Sequence, residues 1–170
     1  MQTGRRVRVR AGSALPAADP NAALFTAALV QNAALNARVK LPEAIAAGRT
    51  AQCIVQGIQV VSFDACDWEF WFWANGGFQS GHPDQDAFRG LWSFTTASGD
   101  GKRIAGAGLY YYYIDGLGVF YEDDEAGLAA NIDAKVGAYL NVTLVNRSAG
   151  AKTASAWFDV TFVLEPTQGQ

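Results

Sequence analysis

The sequence predicts an all-β fold, antiparallel strands packed as a β-sandwich or jelly roll, behind a basic N-terminal arm that carries one short helix. Three observations predict it. From Gln52 onward apolar residues recur at every second position, the period of a half-buried strand rather than of a helix. The runs are short and separated by Gly-, Asn- and Asp-rich segments at regular intervals, as turns are in sandwiches. The front of the chain differs in kind: residues 1–50 hold seven basic residues against two acidic ones, a formal +5, and residues 51–170 hold six against fourteen, a formal −8. Half of the 170 residues are apolar and 12% are aromatic, which excludes disorder as a description of the whole chain.

The elements follow in order. Residues 1–20 read as extended, because Arg6-Val7-Arg8-Val9-Arg10 alternates charge with a β-branched residue, as an edge or added strand does. Residues 21–40 read as a short helix with Asn21 as N-cap, Leu24, Ala28, Leu35 and Val39 on one stripe, and Pro42 as its stop. This arm, 1–50, precedes a β-sandwich domain over 51–167. Residues 52–63 and 67–74 read as strands about a turn at Asp64–Cys66. Residues 88–96 and 103–114 read as two more, with Ser98-Gly99-Asp100-Gly101 as a hairpin turn between them. Asp115-Gly116 and Gly118 mark another turn before Val119–Tyr121. The two clearest strands close the chain. Ala138–Val145 puts Leu140, Val142 and Leu144 on one face, and Ser155–Leu164 puts Phe158, Val160, Phe162 and Leu164 on one face. Burying each of those last four side chains contributes about 1.5–3 kcal/mol before entropy is subtracted.

No catalytic or metal site stands out. Cys53 and Cys66 lack the further ligands of a zinc site, since His82 is the only histidine, and they read as buried free thiols, with a disulfide as the other option. A Cys/His nucleophile has no local signature here. The carboxylates are numerous, yet nothing fixes two of them across a cleft. The run Glu122, Asp123, Asp124, Glu125 reads as a solvated loop, a docking place for arginines, or part of a calcium site. Asn141-Val142-Thr143 and Asn146-Arg147-Ser148 match the glycosylation sequon and read as chance matches. Pro16, Asp19 and Pro20 interrupt the segment that would follow the basic start of a secretory signal, and no apolar stretch is long enough for a membrane span.

Two features point to binding instead. The aromatic strips place Trp71 and Trp73 on one face of a strand and Tyr110 and Tyr112 on one face of another. Both faces of both strands are therefore aromatic, so the strips are covered on both sides, by the helix or a second subunit, or they form a platform that stacks sugars. The arm arginines Arg5, Arg6, Arg8 and Arg10 can dock on an acidic protein surface, bind nucleic acid, or remain solvated. The acidic body argues against nucleic acid, because it repels phosphate.

The segment YLNVTLVNRSAGAKTASAWFDVTFVLEPT, residues 139–167, resembles the closing hairpin of small virion proteins of tailed bacteriophages, in particular the jelly-roll cement or head-decoration class. That resemblance implies a non-enzymatic homo-oligomer, a trimer or dimer, made in the host cytoplasm. It would sit on the outer capsid surface and bridge the major capsid protein or another virion protein, without a cofactor. A carbohydrate- or receptor-binding module of a phage fibre is the alternative. On the first reading the arm arginines anchor the protein and Trp71, Trp73, Tyr110 and Tyr112 form the contact between subunits.

Overall fold

Strands that are apolar on one face are stable only when that face meets another apolar sheet, and that requirement organises this chain. The structure, a computed structural model, describes residues 5–25, 28–42, 45, 52–74, 88–98, 100–104, 108–122, 139–150, 152–153 and 158–167. Every regular element among them is a strand: β1 Val7–Ala11, β2 Ala28–Leu29, β3 Ala34–Lys40, β4 Gln52–Ser62, β5 Trp68–Trp73, β6 Phe88–Ser93, β7 Lys102–Ile104, β8 Leu109–Glu122, β9 Tyr139–Asn146, β10 Lys152–Thr153 and β11 Phe158–Pro166. A five-stranded sheet runs β1-β11-β4-β8-β7, a four-stranded sheet runs β3-β9-β5-β6, and β10 pairs with β2. All pairings are antiparallel.

The two larger sheets pack face to face as a sandwich. The inward residues of β11 (Phe158, Val160, Phe162, Leu164) meet those of β5 (Trp68, Phe70, Phe72) and β9 (Leu140, Val142, Leu144), and all are buried. Phe162 lies edge-on to both Phe70 and Phe72, each at 6.1 Å, and Phe158 meets Trp68 at 5.2 Å. These are the preferred geometries of aromatic pairs.

The front of the chain is where expectation and structure part. The helix over 21–40 is not formed. Residues 21–25 are turns, Asn32 takes a left-handed φ of 62°, and β3 pairs with β9 over its whole length. Leu35, Ala37 and Val39 point inward at period two while Asn36, Arg38 and Lys40 point out. Seven residues of cross-strand pairing outweigh the helix preference of the alanines. The basic segment is likewise folded in. β1 is an edge strand on β11, with Val9 and Ala11 in the core, so the first forty residues supply one edge to each sheet. Asn21 is a corner staple rather than a helix cap: its amide donates to the carbonyls of Arg10 and Lys40 and accepts from the Lys40 N–H.

Three links also differ from the hairpins expected. β4 and β5, β6 and β7, and β9 and β11 each lie in different sheets, so their connections cross the sandwich. Gly101, in the second of these links, packs under Tyr112; a Cβ there would lie 2.6 Å from the ring. The Asp115–Gly118 segment is a bulge within one continuous strand, not a turn. β8 runs on to Glu122, and its register against β4 slips between the Gly57–Asp115 and Val55–Val119 pairs. Gly116 and Gly118, at φ 76° and 66°, absorb the slip in a backbone region open to glycine.

Candidate functional site

β8 turns its four tyrosines alternately in and out. Tyr112 lies in the core opposite Val60, and its hydroxyl accepts the Cys66 N–H at 2.8 Å. Burial pushes the phenol up to about 12. Tyr110 packs on the same core. Tyr112 is fully buried, so its ring is not available to a subunit contact, while Tyr110 is half-buried. The outward pair is Tyr111 and Tyr113, stacked 6.4 Å apart and 15° from parallel, with Tyr113 49% exposed. The tyrosine run has no polar residue to show which face is inward; only the register against Ile58 and Val60 of β4 decides it.

The outer face of the five-stranded sheet joins these tyrosines to the arginines. Register sets Arg10, Thr161, Gln59 and Tyr113 in one row across β1, β11, β4 and β8, and Arg8, Val163, Gly57 and Asp115 in the next. Arg10 reaches Asp159 at 2.6 Å, and that hydrogen bond raises its pKa. Arg6 reaches Asp115 at 3.0 Å and lowers the carboxyl's pKa. Arg8 and Arg5 are exposed and have no such partner among the described residues.

The outer face of the four-stranded sheet holds Trp71 and Trp73. Their rings stack at 5.9 Å, and Phe88 from β6 leans on both, at 5.8 and 5.6 Å. Trp73 is buried; its indole N–H donates to Thr143 Oγ1 at 2.9 Å, and Thr143 donates to Asn36 Oδ1 at 2.7 Å. Trp71 donates its N–H to Glu69, which also accepts from Ser93 and pairs with Arg147 at 2.7 Å. Burial pushes the Glu69 carboxyl up, but the hydrogen bonds from Arg147, Trp71 and Ser93 and the charge of Arg147 outweigh it and leave the group below its ordinary value. Sequence reading missed this network, because Glu69, Arg147 and Asn36 come from three separate strands or their ends.

Cys53 and Cys66 are free and buried, and burial pushes their thiols to about 12 and about 11, so both stay protonated at neutral pH. The sequon asparagines are occupied too: the Asn141 amide donates to the Tyr121 hydroxyl, and that of Asn146 to the Leu29 and Gly150 carbonyls. Glu122 closes β8; its side chain, Asp123, Asp124, Glu125 and His82 lie outside the described residues. Among the described residues no three His, Cys, Asp or Glu side chains cluster as metal ligands, and no helix is long and apolar enough to cross a membrane. No protein-family model and no curated protein matches the chain.

Proposed function

We propose that this chain is a jelly-roll structural protein of a virus particle, a non-enzymatic component that oligomerises on the outer capsid surface and reinforces it by bridging adjacent subunits. Strand order is the observation that carries the reading. With the three shortest strands, β2, β7 and β10, set aside, eight remain. Numbered along the chain, the first pairs with the eighth, the second with the seventh, the third with the sixth and the fourth with the fifth. This is one long nested hairpin, rolled so that eighth meets third and seventh meets fourth. Rolled hairpins of this kind build viral capsids and lectins.

Ring geometry favours the shell over the sugar-binding alternative. A sugar platform needs flat ring faces turned to solvent, whereas Trp71 lies against Trp73 and Tyr111 against Tyr113 along their strands. Aromatic edges beside arginines suit protein contacts. With β1 paired to β11, the arginines act from the sheet edge rather than from a free arm.

Quantitative mass spectrometry of purified particles from cells that express this sequence tests the reading. The chain is expected in fixed proportion to the major shell protein. Particles that carry shell protein and lack this chain would overturn it.

A further inference from the structure

We propose that the outer face of the five-stranded sheet is a self-complementary surface on which a second copy of this chain docks, arginine row against aromatic row. The inference deepens the reading above and rests on its self-association.

The face mixes exposed hydrophobic residues with charged ones. Of the seven large hydrophobic residues exposed among the described ones, four lie on it: Tyr113 and Phe120 on β8, Phe63 just beyond β4, and Ile104 on β7. Tyr, Phe and Arg are the residue types enriched in protein contacts.

The arrangement selects the partner. Arg6, Arg8 and Arg10 run along the β1 edge, and the aromatics run along β8, three strands away. Both signs of charge are present, since Asp115 and Asp159 lie among the cations. A uniformly charged partner, a nucleic acid included, would meet like charge somewhere on it. A symmetric copy does not. A two-fold axis in the interface, parallel to the strands and between β11 and β4, exchanges the edges of the sheet and preserves position along the strands. The β1 of one copy then faces the β8 of the other. Within the register rows, Arg10 meets Tyr113 and Arg8 meets Asp115. The first contact sets a guanidinium against the exposed side of a tyrosine, whose hydroxyl can accept its N–H. The second gives Arg8, which has no ion pair of its own among the described residues, a carboxylate that Arg6 already holds in place. Gly57, in the middle of the Arg8 row, has no side chain to keep the copies apart. Such an isologous contact is closed at two subunits.

Light scattering on the full-length chain at micromolar concentration, beside Arg8→Asp and Asp115→Arg, is the test. A dimer is expected. Each substitution places like charges at both contacts and is expected to raise the dissociation constant at least about tenfold, with the circular dichroism unchanged. An equimolar mixture of the two variants places opposite charges at both contacts and is expected to recover the dimer. If Asp115→Arg loses its fold, Tyr113→Arg, which sets like charge against Arg10 of the other copy, takes its place and must part the dimer as Arg8→Asp does. A monomeric or trimeric full-length chain, a dimer indifferent to these substitutions, or a mixture that stays apart overturns the proposal. A monomer found in particles would sink this docking face and leave the shell reading intact; a charge-sensitive dimer from a chain absent from particles would do the reverse.

Discussion

On the four-stranded sheet the outer ladder of Trp71 and Trp73 is closed by Phe88 and by a hydrogen-bonded chain through Thr143 to Asn36, while on the five-stranded sheet the ladder of Tyr111 and Tyr113 leaves Tyr113 half exposed. The two ladders are alike in spacing and stacking. They differ in their flanks. β5 is paired on both sides, with β9 and with β6, so each tryptophan has neighbours to left and right. β7 pairs with β8 only as far as Lys102 opposite Tyr111, so Tyr113 has β4 on one side and, among the described residues, no strand on the other. Whether an outward aromatic is sealed depends on the strand beside it, not on the residue. A face sealed by its own sheet contributes to stability; one left open is available to a partner.

The largest effect separating the faces is expected from truncating one ring on each. Trp73→Ala removes a buried indole and should cost about 3–5 kcal/mol, whereas Tyr113→Ala should change stability by no more than about 0.5 kcal/mol. Urea unfolding in an Arg8→Asp background, where association is removed, measures both. Equal costs would break the comparison. A smaller contrast is expected from two threonines placed similarly on the two sheets. Thr143→Val leaves the Trp73 N–H buried without an acceptor and should cost about 1–3 kcal/mol. Thr161, on β11, is as buried but makes no side-chain hydrogen bond with the described residues, so Thr161→Val should stay within about 0.5 kcal/mol.

The smallest effect concerns pH. Glu69 sits below its ordinary pKa in the folded chain, so it binds a proton more readily when unfolded. Its contribution is present above the unfolded value of about 4.3 and is lost as pH falls through the lower folded value. Melting temperatures measured from neutral pH down to that range should fall less steeply for Glu69→Gln than for the native chain. Parallel curves would mean that the Arg147–Glu69 pair is a bystander in the sealed face.

Much of the sandwich was legible in the sequence. The inward faces of β9 and of the first part of β11 follow from alternation, because Leu140 to Leu144 and Phe158 to Phe162 step apolar-polar without a break, whereas β5 is aromatic on both faces. The sequence left Cys53 and Cys66 open between free thiols and a disulfide, and the structure has both free and buried. Other readings failed for identifiable reasons. Residues 35–40 fit both the loose helical stripe over 21–40 and a strand alternation of their own, and the presence of β9 as a partner selects the strand. Ser98–Gly101 has hairpin chemistry, but a tight turn does not say whether the next strand returns to the same sheet. Tyr110 to Tyr113 carry no polar marker of face, so nothing in the run sets the buried Tyr112 apart from its neighbours. The candidate surface itself is spread over β1, β4, β7 and β8, and no local window contains it.

The sequence by itself determined that this protein is made of antiparallel strands, and which residues of most strands share a face, because period two is a property of each strand alone. Only the tertiary structure decided which strands became neighbours, that the basic front became the edges of both sheets, and which aromatic ladder stayed open. Those outcomes depend on backbone hydrogen bonds between residues as far apart as Val7 and Leu164. Pairings so distant leave no local mark, because the chain need satisfy them only once the two apolar faces have met.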